Sequence, residues 1–253
     1  MTYFDTETTM EPLISVITPT VRPDGLEIVR RGLLKQTYTK WEWLIGSTFD
    51  PHIKEARWIK DDFVGGQWTL NRIYNKLIKN AHGKIIVSLQ DNIYINPEGI
   101  QKFVDAIDQL GDIIISGVGD QYERENEYGK PEIKIWSDPR KNDKYGSFYE
   151  CYPSDVEWNY CALPKSILTK VGGFDEEMDM RCRGVDAYQV MARIDELGFK
   201  SYLDQDNESF TIRHDRSSYG GEEEWNKSHG LFNGEYDKRK EELLKTGQWP
   251  IID

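Results

Sequence analysis

Four short apolar runs, separated by stretches of helical periodicity, constrain this chain more than any other feature. The runs are residues 13–18 (LISVIT), 41–45 (WEWLI), 85–89 (IIVSL) and 112–116 (DIIIS). Each is too short for a helix, and most are apolar on both faces, the pattern of a strand covered on both sides in a parallel sheet. Between them, Leu26, Val29, Leu33 and Leu34 recur at helical spacing, with Asp24 placed to cap that helix. Leu70, Ile73, Tyr74, Leu77 and Ile78 mark a second helix that ends near Gly83, and Ile100, Phe103, Val104, Ile107 and Leu110 a third. Residues 56–60 read as one further short strand. The β-α-β-α-β-α-β alternation predicts an α/β fold: a mostly parallel central sheet sandwiched by helices, Rossmann-like in its first half.

The regularity fades from 117 to 153 into charged, aromatic and glycine-containing sequence, which reads as a long loop or insertion. It returns as a strand at Trp158 to Leu163, a helix from Asp186 to Leu197 and a strand from Ser201 to Arg213. Residues 221–253 are highly charged and read as a helical C-terminal extension docked by Tyr236, Leu243 and Leu244.

Charge narrows the choice of partner. The net charge of -12 argues against nucleic acid, whose phosphates are bound by Lys/Arg surfaces. An anionic small ligand therefore needs a local cation, either a metal ion or a few placed Arg or Lys side chains. No apolar run approaches the roughly 20 residues that span a bilayer. The N-terminus lacks a basic region followed by an apolar stretch, so no secretory signal is expected. Cys151, Cys161 and Cys182 form no CxxC pair and are odd in number, which fits reduced thiols and a cytoplasmic protein. The oligomeric state is not legible.

The run at 85–89 stops abruptly at Gln90-Asp91-Asn92. Ligands of open α/β sheets bind at the carboxyl ends of such strands. Three oxygen-bearing side chains there suit a hard cation, and a cation can carry a phosphate. Taken alone, the triplet reads equally as an ordinary polar turn.

Other segments favour the first reading. ISVITPT at 14–20, QTYTKWEWLIG at 36–46, AHGKIIVSLQDN at 81–92, VGGFDEEMDM at 171–180 and the helix at Asp186 occur in order. Together they resemble the family 2 glycosyltransferases with the GT-A fold over roughly residues 13–215. The resemblance implies an inverting enzyme that moves a sugar from a nucleotide-diphosphate sugar, a UDP-sugar, to an acceptor hydroxyl, assisted by Mn2+ or Mg2+. It implies one GT-A domain over 1–220, with 13–116 as the nucleotide-sugar half and 117–220 as the acceptor and catalytic half.

The resemblance also implies roles for individual residues. Asp91, Asn92 and His214 become the metal ligands, although relatives carry Asp-x-Asp where this chain has Gln90 and Asn92 as the outer pair. Thr18, Pro19 and Thr20, mostly through backbone groups, and Arg22, Ser47, Asn71, Gln90 and Asp91 become donor contacts, with Arg72 beside Asn71; either Ser47 reads the base or Asp50 reaches back to it. Trp158 and Asn159 face the transferred sugar, and Arg213 and Arg216 the phosphate. Asp186 becomes the catalytic base, which also suits a helix N-cap, with Glu177 and Asp179 as the fallback carboxylates. A non-catalytic nucleotide-sugar or carbohydrate-binding protein on the same fold is the rival reading.

Overall fold

The computed structural model describes residues 13–62, 69–176, 179, 186–214 and 245, the side chains of 186–189 excepted. In chain order the elements are β1 (Ile14–Pro19), α1 (Leu26–Leu33), β2 (Trp41–Ser47), β3 (Ala56–Lys60), α2 (Leu70–Asn80), β4 (Ile85–Leu89) and β5 (Ile93–Ile95). There follow α3 (Gly99–Leu110), β6 (Ile113–Glu125), β7 (Pro131–Trp136), β8 (Phe148–Cys151), β9 (Tyr160–Pro164), α4 (Lys165–Lys170), α5 (Asp186–Glu196) and β10 (Lys200–Ile212). All but β7 and β8 lie in one sheet path, β3-β2-β1-β4-β9-β6-β10-β5, with β7 paired to β6 and β8 to β10.

The two-residue period of the strands divides the core between the sheet's faces. Ile14, Val16, Trp43, Ile45, Ile85 and Val87 point to one face, where Leu26, Val29 and Leu33 of α1 and Phe103 and Ile107 of α3 cover them. Ile17, Leu44 and Ile86 point to the other, under Ile73, Tyr74 and Leu77 of α2 and Val190 and Ile194 of α5. Burying each such side chain stabilises the fold by roughly 1.5–3 kcal/mol. This two-sided cover is why the strands read as unbroken apolar runs. Among the described residues no helix is long and apolar enough to cross a membrane.

Four expectations need correction. Leu34 is 50% exposed and Leu110 39%, so neither belongs to its helix's buried face. Asp24 lies inside a 3-10 turn, Pro23–Gly25, and no side chain caps α1. The sheet is parallel from β3 through β2 and β1 to β4 and again between β6 and β10, but β9 runs antiparallel to β4 and β6. The expected loop at 117–153 instead carries the far end of β6 and all of β7 and β8. β7 is mostly exposed on both faces, so it lacks the apolar alternation that betrays a strand. The C-terminal extension, apart from Lys245, lies outside the described residues.

Candidate active site

The parallel strands β3, β2, β1 and β4 finish on one edge, where Pro19 pairs with Gly46, and Ser47 with Lys60. The loops leaving that edge bring Thr20, Arg22 and Asp91 into direct contact. Asp91 is 3% exposed. Arg22 grips its carboxylate with two parallel bonds, Nε to Oδ2 at 3.0 Å and Nη2 to Oδ1 at 2.5 Å. The Thr20 hydroxyl donates to the same Oδ2 and accepts from the Arg22 amide at 2.9 Å. This fork geometry is the strongest form of carboxylate pairing a side chain offers. The segments meet because β1 and β4 are neighbours, although Arg22 and Asp91 stand 69 residues apart.

The rest of the triplet diverges. The Gln90 amide donates from its backbone to Asn159 O at 3.0 Å, and its side chain reaches Tyr74 OH at 3.4 Å. Asn159 in turn donates to Glu157 at 2.8 Å, so Gln90 and Asn159 form a second polar group beside the first. Asn92 has a left-handed φ of 63°. Its side chain packs so tightly on Gly25 that a Cβ at position 25 would lie 2.5 Å from Asn92 Nδ2. Ile212 N donates to Asn92 O at 3.0 Å, which brings the end of β10, and His214 just beyond it, to the same edge.

These positions test the expected metal centre. Both oxygens of Asp91 are engaged, and the Asn92 amide is wedged against the turn at Gly25. The Arg22 guanidinium bound to Asp91 would repel a divalent ion placed on the same carboxylate. Among the described residues no three His, Cys, Asp or Glu side chains are grouped to hold an ion. The set Asp91, Asn92 and His214 does not fit a divalent cation as it stands.

Side chains at other expected positions make internal bonds. Thr18 is fully buried; its hydroxyl donates to Leu89 O at 2.7 Å and accepts from Trp43 Nε1 at 2.9 Å, so only its backbone faces the edge. The Ser47 hydroxyl closes a local turn on Phe49 O at 2.5 Å. Asn71 is 1% exposed and donates to Asp175 O at 3.0 Å. Asp50 accepts from the His52 amide at 2.8 Å, and Arg213 pairs with Glu123 at 2.9 Å. Trp158, expected at the sugar, is 2% exposed and packs edge-on against Tyr74 and Phe174; it is a core residue.

Of the carboxylates expected as the catalytic base, only Asp179 has a described side chain. Asp186 opens α5, with its side chain outside the described residues. Glu177 and Arg216 also lie outside them. Asp179 receives the backbone amides of Asn71 and Arg72 at 2.8 and 2.9 Å. It therefore caps α2 from a distant segment, at a helix whose own N-cap residue, Thr69, makes no side-chain cap bond.

Sequence reasoning missed two groups near the site. Asp61, directly after β3 on the same edge, is fully buried and binds Arg72 at 2.8 Å and Lys76 at 2.9 Å. An acid following a predicted strand was the available signal. Arg140 grips Asp138 at 2.5 Å and also donates to Ser116 Oγ at 3.1 Å and Asp155 O at 2.9 Å, tying the 138–155 segment to β6. Burial works against the charged Asp138, yet the Arg140 bonds win and hold its carboxyl below the ordinary range. Nothing in the irregular sequence there announced the pair.

No protein-family model matches this sequence, and no curated protein matches it. Solved structures do. The chain superposes on GalNAc-T7, crystallised with UDP, GalNAc and Mn2+, with a TM-score of 0.63 at 12% identity over 97% of this chain and 53% of that one. It superposes on residues 1–349 of S. aureus TarS with a TM-score of 0.58 at 13% identity, over 79% of this chain and 60% of that one. The chain thus has the GT-A fold, and spans between half and two thirds of the length of these two neighbours.

Proposed function

We propose that this chain is an inverting glycosyltransferase that moves a sugar from a UDP-sugar to an acceptor hydroxyl. The observation that carries the reading is the convergence of Thr20, Arg22, Gln90, Asp91 and Asn159 at the carboxyl edge of a GT-A sheet. That edge is where open α/β sheets take their ligands, and one neighbour of the same fold was crystallised with UDP, GalNAc and Mn2+.

The roles follow from charge and position. Pro19, Thr20 and Arg22 meet the diphosphate, the guanidinium matching its oxygens. The end of β2, with Ser47, flanks the base, and Gln90 and Asn159 face the sugar. The acceptor oxygen attacks the anomeric carbon as the bond from that carbon to the phosphate oxygen breaks. The bonding pair leaves with the nucleoside diphosphate, and the acceptor proton passes to Asp186 at the head of α5. The expected Mn2+ or Mg2+ does not fit Asp91, Asn92 and His214, so these roles use protein groups alone. Free thiols at Cys151 and Cys161 suit the cytoplasmic location we assign.

One observation favours a second reading, a non-catalytic nucleotide-sugar-binding protein. The triplet has a single acid, and that acid is committed to Arg22. Turnover separates the two. UDP-sugars offered with an acceptor panel should yield product of inverted anomeric configuration. Asp186→Asn should slow transfer by at least about 100-fold while UDP affinity stays within about threefold. Unchanged turnover in that variant removes Asp186 from the base role; binding without product from any acceptor selects the second reading.

A further inference from the structure

We infer that Arg22, held by Asp91, takes the place of the divalent cation, so that the donor diphosphate binds without a metal ion; the inference rests on the nucleotide-sugar reading above. The observation is the inversion of roles at the end of β4. A carboxylate that offers its oxygens to a metal has to keep lone pairs and net charge available. Asp91 keeps little of either: its side chain is 1% exposed, while the Arg22 side chain gripping it is 24% exposed. The pair therefore presents its cation, not its anion, to the edge.

The surroundings agree with that polarity. Gln90 and Asn92 are neutral, so no carboxylate of the triplet remains to offset a divalent ion. Thr20 fixes both partners, since its hydroxyl donates to Asp91 and accepts from the Arg22 amide at 2.9 Å. Arg22 leaves β1 three residues after Pro19, on the edge where the ends of β1 and β4 lie side by side. A guanidinium held there by its Nε and Nη2 bonds to Asp91 brings its charge to phosphate oxygens and needs no reorganisation as charge develops on the leaving group. Asp91 acts through Arg22 and is a positioning residue.

Calorimetric titration of the full chain with UDP, and with GDP in parallel, tests this in EDTA and in Mn2+. The inference expects the dissociation constants in EDTA and in Mn2+ to agree within about threefold. Arg22→Gln should weaken binding at least tenfold in both conditions, and Arg22→Lys should restore part of the loss, since it returns the charge without the fork. Asp91→Asn should weaken binding by the same factor with and without Mn2+. Because Arg22→Gln leaves a buried unpaired carboxylate, the double variant Arg22→Gln/Asp91→Asn serves as the neutral control and should lose as much. Binding that appears only with Mn2+, with that metal dependence abolished in Asp91→Asn, overturns the inference and leaves the donor reading standing. Parental affinity in Arg22→Gln or in the double variant also overturns it. Failure to bind either nucleotide under both conditions overturns the inference and the donor reading together.

Discussion

Asp91 shows how much a single residue's role depends on what the fold brings beside it. Its place after a buried strand was legible, because an apolar run ending in polar side chains marks a sheet edge. Its partnership with Arg22 was not, because the two are joined only by the pairing of β1 with β4. Trp158 carries the same lesson in reverse. The family resemblance implied a contact with the sugar, yet the ring completes an aromatic cluster with Tyr74 and Phe174 at centroid distances of 6.0 and 5.0 Å. A core role makes a specific demand. Trp158→Ala should destabilise the protein by about 3–5 kcal/mol, read as a drop in denaturant midpoint. Retained stability with lost sugar affinity would return the residue to the donor site.

At the scale of elements, the first half was readable because β1 and β4 are buried on both faces, β2 over most of its length, and the helices each carry an apolar stripe. Boundaries at Ala56–Lys60 and Ile85–Leu89 emerge as read. The second half was harder because β7 and β8 expose most of their side chains, and because β10 is irregular. The pairing of β10 with β6 shifts register between Leu203 and Glu208. Asp204 sits in that irregularity at 8% exposure, and burial raises its carboxyl above the ordinary range. A raised carboxyl favours the fold while protonated, and that contribution is lost as pH rises through the folded value. Asp204→Asn should therefore raise the melting temperature at pH 7 by a few degrees and leave it nearly unchanged near pH 3. An equal gain at both pH values would contradict the assignment.

Over the whole molecule, a net charge of -12 makes the proposed binding of an anionic donor depend on a local cation, and Arg22 is the one placed beside Asp91. The GT-A fold positions that edge by carrying β1, β2, β3 and β4 to a common end. Fold class was therefore the most legible property and the 117–153 segment the least, since its strands have no periodic signature. The central claim is that the donor sits across the ends of these strands. Hydrogen–deuterium exchange of the full chain with and without saturating UDP tests it most directly. The account predicts protection of residues 19–22, 47–50 and 90–92, with β7 unchanged. Protection confined to other segments, or none at saturation, would contradict it.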